Sequence, residues 1–511
     1  MRVIDFFDQG AELYPNNLAF VDDLGEITYS DARSFSMRLA SAIRARGYSK
    51  GDKVGVLSPN SNIAFLTLLG VFRGESAWIP INPRNATAAN ADLLGRFDGS
   101  LLFYHSAFEK EAMELKDTVK SLQEVVCIDK GLDTWLADAG DDFEMDDEDP
   151  EGVFAIFPTG GTTGAPKGVV VLHRNLEAMF TNFWTHFNYY DNTKHLVVAP
   201  MTHSSGALGC MHFSRGGTNY IMNQVSPQAI IEAIQKQKIT HLFLPPTVLY
   251  MILALPDVRD YDYSSLQHFL IGSAPCSLTK LKEAIDVFGP VMTEAFGQTE
   301  APAAITAKAP WDYLDANGEI IESRLKSIGR PCVLNKVAIL DDDGNKMPLG
   351  ESGEICVRGR LVTQGYYKNP EATAESRQFG WHHTGDIGVM DEEGYITIVD
   401  RKKDMIITGG FNVFPNEIEQ VLCQFDAVQD CAVIGVPDEK WGEAVKAIVQ
   451  LKPEMITDES ALLAFCKSKL GSVKTPKSIE FFDDLPRSPA GKVLKTELRK
   501  KYWADCERAV N

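Results

Sequence analysis

Ten consecutive positions, Thr159, Gly160, Gly161, Thr162, Thr163, Gly164, Ala165, Pro166, Lys167 and Gly168, hold four glycines, three threonines and one lysine. Glycine lets a turn bring backbone N–H groups close to an anion, and threonine hydroxyls add donors. Lysine supplies a point charge, so the set suits a polyphosphate. The pattern is not a P-loop, because Gly168 stands where Ser or Thr must follow the lysine. Pro166 also argues against a helix running straight out of the loop. Six more segments hold residues able to do chemistry: Met201-Thr202-His203-Ser204-Ser205-Gly206, Gly272-Ser273-Ala274-Pro275, Glu294-Ala295-Phe296-Gly297-Gln298-Thr299-Glu300, Thr384-Gly385-Asp386, residues 400–419, and residues 486–495 with Lys492. Glu300 is a hard oxygen donor of the kind Mg²⁺ takes. His173, His382 and His383 lack metal-ligand spacing and receive no role, and Lys495 and Lys500 read as surface charges.

The elements that must position these residues alternate between strand and helix. Residues 30–47 form an amphipathic helix with Phe35, Leu39 and Ile43 on one face, Ser30 as N-cap and Gly47 as the stop. A buried strand at 53–57 and a helix at 62–72 follow, and the alternation recurs at 240–244 and 278–287, so the class is α/β. The strand at 153–157 feeds the Gly/Thr loop, and the acidic run at 138–149 is a solvated loop without assigned function. Past residue 330, short β-rich runs at 337–340, 354–358 and 395–399 are separated by Asp-Asp-Gly and Glu-Glu-Gly turns, which predicts antiparallel sheet. A helix at 415–423, strands at 431–436 and 445–451 and a helix at 460–470 make a further, smaller α+β domain. The expected architecture is a large N-terminal domain, 1–400, of parallel-type α/β subdomains plus a β-rich subdomain, and a small mobile C-terminal domain, 401–511.

A chain of 511 residues is too long for one core. Its formal net charge of −20 argues against nucleic acid or an anionic membrane as a partner. Nine cysteines without CxxC spacing read as free thiols in a reducing compartment, with no zinc site. The acids among the first eight residues do not suit a signal peptide. The apolar stretch 241–256 is interrupted by Pro245 and Pro246, so no integral membrane association is expected. Arg508-Ala509-Val510-Asn511 is not a peroxisomal address. The expected location is cytoplasmic.

The order and spacing of the seven segments resemble the adenylate-forming family of acyl-CoA synthetases, peptide-synthetase adenylation domains and luciferases, over nearly the whole chain. That resemblance implies ATP, Mg²⁺ and coenzyme A as cofactors and a small carboxylic acid as substrate. It implies that Thr159 to Lys167 grip the ATP phosphates and that Glu300 and the Thr159 hydroxyl hold the metal. Phe296, with Gly297, Gln298 and Thr299, stacks on adenine where most relatives carry tyrosine, and Ser273, Ala274 and Pro275 form the opposite wall. Asp386 and Arg401 hold the ribose, Lys492 carries catalysis of adenylation, and His203 gates the acyl pocket.

The resemblance also implies two half-reactions in one site. Carboxylate and ATP give acyl-AMP and pyrophosphate; the C-terminal domain then turns about Lys403 and presents Gly409 and Gly410 to pantetheine, and CoA thiolate displaces AMP. Ile407 departs from the lysine many relatives carry. Only 19 residues follow Lys492, so no carrier domain is expected after it. Three functions stay open: CoA ligase, a stand-alone enzyme loading a carrier protein, and a catalytically idle adenylate-binding regulator. Small residues at 204–207 and 301–304 suit a medium-chain, branched, aromatic or alicyclic acid.

Overall fold

The computed structural model describes the chain except residues 138, 146–148, 160–165, 188–190, 192, 203, 410, 439, 488–492 and 504–511, and the side chains of residues 204 and 412. The chain forms two compact units, Met1–Lys336 with Val357–Gly380, and Val337–Cys356 with Trp381–Asn511.

The first unit holds a seven-stranded and a nine-stranded sheet. In the seven-stranded sheet, Ala77–Pro80, Lys53–Leu57, Gly99–Tyr104 and Glu124–Cys127 are parallel neighbours. Gly99–Tyr104 and Ala77–Pro80 are buried at every position, as parallel strands covered on both faces are. The same sheet carries an antiparallel hairpin, Val153–Thr159 with Lys167–Leu172, in which Thr159 faces Lys167 and Pro158 faces Gly168. The Gly/Thr segment therefore joins two strands, as Pro166 required. Gly168 has a packing reason: a Cβ there would lie 2.6 Å from the Phe97 ring.

Five parallel strands, Thr218–Ile221, Lys194–Val197, His241–Leu244, His268–Ile271 and Met292–Gln298, form the centre of the nine-stranded sheet. Ile230, Ile234, Leu249, Ile252, Leu281 and Phe288 from three helices pack one core against it. His195, His241 and His268 are register partners across this sheet. The His212 ring packs against two of them, tilted at 4.9 Å from His195 and edge-on at 5.1 Å from His241, and His241 lies 5.0 Å from His268. All four are buried. Burial pushes His195 and His268 down to about 4 and holds His212 and His241 well below their ordinary value, so the row is neutral.

The N-terminal helix of the sequence reading spans Tyr29–Ala45 and is capped by Thr28, whose hydroxyl accepts from Asp31 N–H. Ser30 is already helical, so the cap sits two residues earlier than its sequence suggests.

Asn335–Leu340, Ser352–Gly359, His382–Met390 and Ile396–Arg401, most of whose residues belong to the second unit, make a four-stranded sheet whose last two strands are antiparallel, in line with the turn chemistry. A separate five-stranded sheet centres on Gly442–Leu451, paired with Val428–Asp438, Ser478–Phe481 and Ile406–Thr408. Helices Pro415–Leu422 and Glu459–Lys474 cover it through Ile418, Leu422, Leu462 and Cys466. Among the described residues no helix is long and apolar enough to cross a membrane.

Candidate active site

Within the first unit, His268–Ile271 runs parallel to Met292–Gln298 with Ile271 beside Glu294. The segments at their C-terminal ends, Ser273 to Pro275 and Phe296 to Thr299, are therefore neighbours, at the edge where open α/β sheets bind ligands. Ser273, Ala274 and Pro275 are exposed, and Phe296 is half-buried. Gly272 permits the close approach: a Cβ there would sit 3.2 Å from the Ala295 carbonyl oxygen. At Gly297 a Cβ would fall 2.5 Å from the Ala303 backbone nitrogen. Ala303 itself is left-handed, with φ of 53°. The small residues here serve backbone packing as well as space.

Glu300 occupies the turn between Met292–Gln298 and Ala301–Lys308. Its carbonyl accepts from Thr363 N–H at 2.9 Å, and its Oε1 accepts from the Tyr366 hydroxyl at 2.7 Å. Tyr366 is fixed by pairing with Val169 in the hairpin strand and by donating its N–H to Thr373 Oγ1. The Lys167 ammonium lies 5.1 Å from the Tyr366 ring centroid. Burial and the Glu300 carboxylate raise the phenol well above its ordinary value, so it remains a donor. Sequence reading missed Tyr366, since nothing in Gly365-Tyr366-Tyr367 distinguishes a site tyrosine from a packing one.

Glu300 Oε2 has no partner among the described residues, and Thr159 Oγ1 makes one hydrogen bond, to the Lys167 carbonyl at 3.3 Å. Two oxygen donors with spare capacity fit a hard divalent cation.

His203 and the loop residues Gly160, Gly161, Thr162, Thr163 and Gly164 lie outside the described residues. The approach to His203 is described, and Asn60 fastens it. Asn60 Nδ2 donates to the carbonyls of Val198, Ala199 and Met222, and its Oδ1 accepts from Met201 N–H at 2.9 Å. Sequence reading missed Asn60; its place directly after a strand in Ser58-Pro59-Asn60 is the only signal.

In the second unit Asp386 and Arg401 are cross-strand partners, and Arg401 Nε lies 2.7 Å from Asp386 Oδ1. Asp386 is buried, while Arg401 is partly exposed. The Thr384-Gly385 segment of strand His382–Met390, just before Asp386, is held by Glu354. Glu354 Oε1 accepts from Gly385 N–H at 2.9 Å, and Oε2 accepts from His383 Nδ1 at 3.0 Å and Lys402 Nζ at 3.1 Å. Cys356 Sγ lies 3.4 Å from His383 Nδ1. Glu354, Cys356 and His383 thus present donor atoms within 4.8 Å of one another. The Lys402 ammonium at the same carboxylate completes a hydrogen-bonded network, which gives His383 a role the sequence did not disclose.

Lys403 lies in the 3-10 turn Lys402–Asp404 directly after the strand that ends at Arg401. Gly409 has φ of 57°, and a Cβ there would meet the Trp441 ring at 2.6 Å. Gly410 and Lys492 lie outside the described residues. Lys495 corrects the sequence reading: it is largely buried, with its ammonium 2.8 Å from Glu419 Oε1. An ion pair formed across the fold is invisible to a charge count. Lys500 is exposed and pairs with Glu497, as a surface charge does.

The AMP-binding enzyme model matches residues 7–367, and the AMP-binding enzyme C-terminal domain model matches residues 417–492. The chain is 35% identical over 491 residues to the medium/long-chain-fatty-acid–CoA ligase FadD8 of Mycobacterium tuberculosis, covering 92% of this chain and 84% of that protein. It is 33% identical over 485 residues to a feruloyl-CoA synthase of an Amycolatopsis species, covering 93% and 94%. The amide bond synthetase McbA of Marinactinospora thermotolerans superposes with a TM-score of 0.87 at 28% identity, over 98% of this chain and 100% of that one. With family matches over most of its length, the chain belongs to the AMP-binding, adenylate-forming enzymes.

Proposed function

We propose that the chain is an AMP-forming acyl-CoA ligase acting in the cytoplasm on a medium-chain, branched, aromatic or alicyclic carboxylic acid. The observation that carries this reading is the grouping of Lys167, Tyr366 and Glu300 beside the hairpin that holds the Gly/Thr loop. It supplies one cation for phosphate and one carboxylate for a metal. The described cysteines are free thiols, which suits a reducing compartment.

In the first half-reaction Lys167 and the loop donors hold the ATP phosphates, and Phe296 packs on the base against Ser273 to Pro275. Asp386 accepts from the ribose hydroxyls, and Arg401 fixes the carboxylate that does so. Glu300 and Thr159 would hold Mg²⁺, which when bound neutralises phosphate charge. The substrate carboxylate attacks the α-phosphorus and pyrophosphate leaves. Lys492 stabilises the charge that develops in that step more than the ground state.

In the second half-reaction the thiolate attacks the acyl carbonyl and AMP leaves. We assign that step to the face around Gly409 and Gly410. The exposed apolar side chains of Ile407 and Phe411 on paired strands, and of Trp441 in the turn before Gly442–Leu451, support a pantetheine-facing surface. We place the domain boundary at 400/401 and the hinge at Lys403, in the short 3-10 turn Lys402–Asp404.

The test is AMP release from ATP across a panel of carboxylic acids, each with and without CoA. CoA-dependent turnover on one acid class is expected. Pyrophosphate exchange without CoA-dependent turnover on any acid would move the acceptor to a carrier protein, and no ATP consumption with any acid would leave a regulator. Lys492→Ala is expected to abolish acyl-AMP formation while still converting supplied acyl-AMP to thioester; an equal fall in both would remove Lys492 from its assigned step.

A further inference from the structure

We propose that Cys423 and Cys431 form a dithiol that hydrogen peroxide oxidises to a disulfide, a modification site independent of the ligase reading. Their sulfurs lie 3.7 Å apart, and among the described residues no other two thiols are in contact. Cys423 ends helix Pro415–Leu422 and is exposed, so an oxidant reaches it from solvent. Cys431 lies beneath it in strand Val428–Asp438 and is 5% exposed. One accessible thiol over one buried thiol is the arrangement of an attacking and a resolving cysteine.

The surroundings favour the same order of events. The hydrogen bond from Cys431 lowers the pKa of Cys423, and the same contact together with burial raises that of Cys431 well above its ordinary value. Two carboxylates face the pair, and both are engaged. Glu419 pairs with Lys495 and accepts from Val433 N–H at 2.6 Å, and Asp430 pairs with Arg487 at 2.6 Å. Apart from its neighbour sulfur, Cys431 makes one weak contact, from Sγ to the Glu419 carbonyl at 3.6 Å. Closing the gap to a disulfide needs about 1.7 Å of movement, shared between two side chains, one of them at a helix end.

The chemistry balances with one peroxide. Cys423 thiolate attacks one peroxide oxygen and the O–O bond breaks, giving a sulfenic acid and hydroxide, which takes up the thiol proton as water. The Cys431 sulfur then attacks the Cys423 sulfur, the S–O bond breaks, and the second water leaves with the Cys431 proton. Two thiols are oxidised by two electrons and the peroxide is reduced by two. The bond ties the end of helix Pro415–Leu422 to its neighbouring strand. That helix also carries Glu419, the partner of Lys495, and Asn416, whose N–H donates to Asp400.

The full-length protein is treated with graded hydrogen peroxide, free thiols are alkylated, and a protease cutting after acidic residues separates the two cysteines at Asp426 or Asp430. A cross-linked Cys423–Cys431 peptide, two hydrogens lighter than the sum of its reduced parts, is expected before the other described cysteines are modified. Cys423→Ser, at an exposed position, is expected to slow oxidation of Cys431 by at least roughly tenfold, because the buried thiol then lacks its entry point. Sulfinic acid at Cys423 with Cys431 still alkylated, or oxidation of other cysteines first, overturns the proposal. So does an unchanged rate at Cys431 in Cys423→Ser.

Discussion

Tyr366 donates its hydroxyl to Glu300 Oε1 over 2.7 Å while its ring lies 5.1 Å from the Lys167 ammonium. One aromatic side chain thus orients both the carboxylate proposed for the metal and the lysine proposed for phosphate. Tyr366→Phe keeps the ring and loses the hydroxyl, forfeiting a hydrogen bond to a charged group worth about 1.5–3 kcal/mol. The Mg²⁺ concentration giving half-maximal pyrophosphate exchange is expected to rise roughly tenfold. Tyr366→Leu is expected to raise the KM for ATP as well, because the contact with Lys167 goes too. Indistinguishable Mg²⁺ titrations for wild type and Tyr366→Phe would leave the tyrosine with a packing role alone.

Asp386→Asn preserves shape and removes the charge that Arg401 pairs with. Its KM for ATP is expected to rise about tenfold, with a smaller change in kcat, since the lost interactions hold the nucleotide in ground and transition states alike. Steady-state kinetics beside a thermal melt checks this. An unchanged KM would take Asp386 out of the ribose site.

Lys495→Met strands the buried carboxylate of Glu419. Breaking such a pair from one side costs about 3–5 kcal/mol, read as a fall in the urea midpoint. The double variant Lys495→Met/Glu419→Gln is expected to regain most of that loss, since the amide oxygen still accepts from Val433 N–H. Additive losses would show that the two residues act independently.

The histidine row sets an acid limit. His195 and His268 titrate at about 4 in the folded chain and near 6.5 when unfolded. Their folded pKa values are depressed, so between those pH values the unfolded chain binds more protons and stability falls as pH falls. The loss is on the order of 3 kcal/mol for each of these two residues by pH 4. Urea midpoints from pH 7 to pH 4 are expected to drop steeply below about pH 6.5, and His268→Gln is expected to flatten the slope. A variant as acid-sensitive as the wild type would place the cause elsewhere.

The elements read from periodicity and turn chemistry correspond to observed ones, with ends that differ by up to four residues, as at Glu459–Lys474. The strand at 53–57, the helix at 278–287 and the antiparallel sheet past residue 330 all correspond to observed elements. These signals are local: apolar spacing, breakers and caps. Of the candidate site, Glu300 and Asp386 could be picked out in the sequence by residue type and spacing alone, and the roles proposed for them rest on their chemistry. Tyr366, Asn60 and Glu354 could not, because each acts through a partner more than thirty residues away or through backbone carbonyls that sequence does not display. Lys495 was misread for the same reason.

Glu354 gives the second unit a property that no single contact has. One buried carboxylate receives hydrogens from the Gly385 N–H, from His383 and from Lys402, the residue next to Lys403. Substitutions at these three places therefore share a common creditor and will show epistasis: once Glu354 has lost one partner, it redistributes among the others. Natural variation at position 383 should accordingly be tolerated or rejected according to what stands at 402, so the strand residues before Asp386 and the segment after Arg401 drift through sequence space as one linked trait.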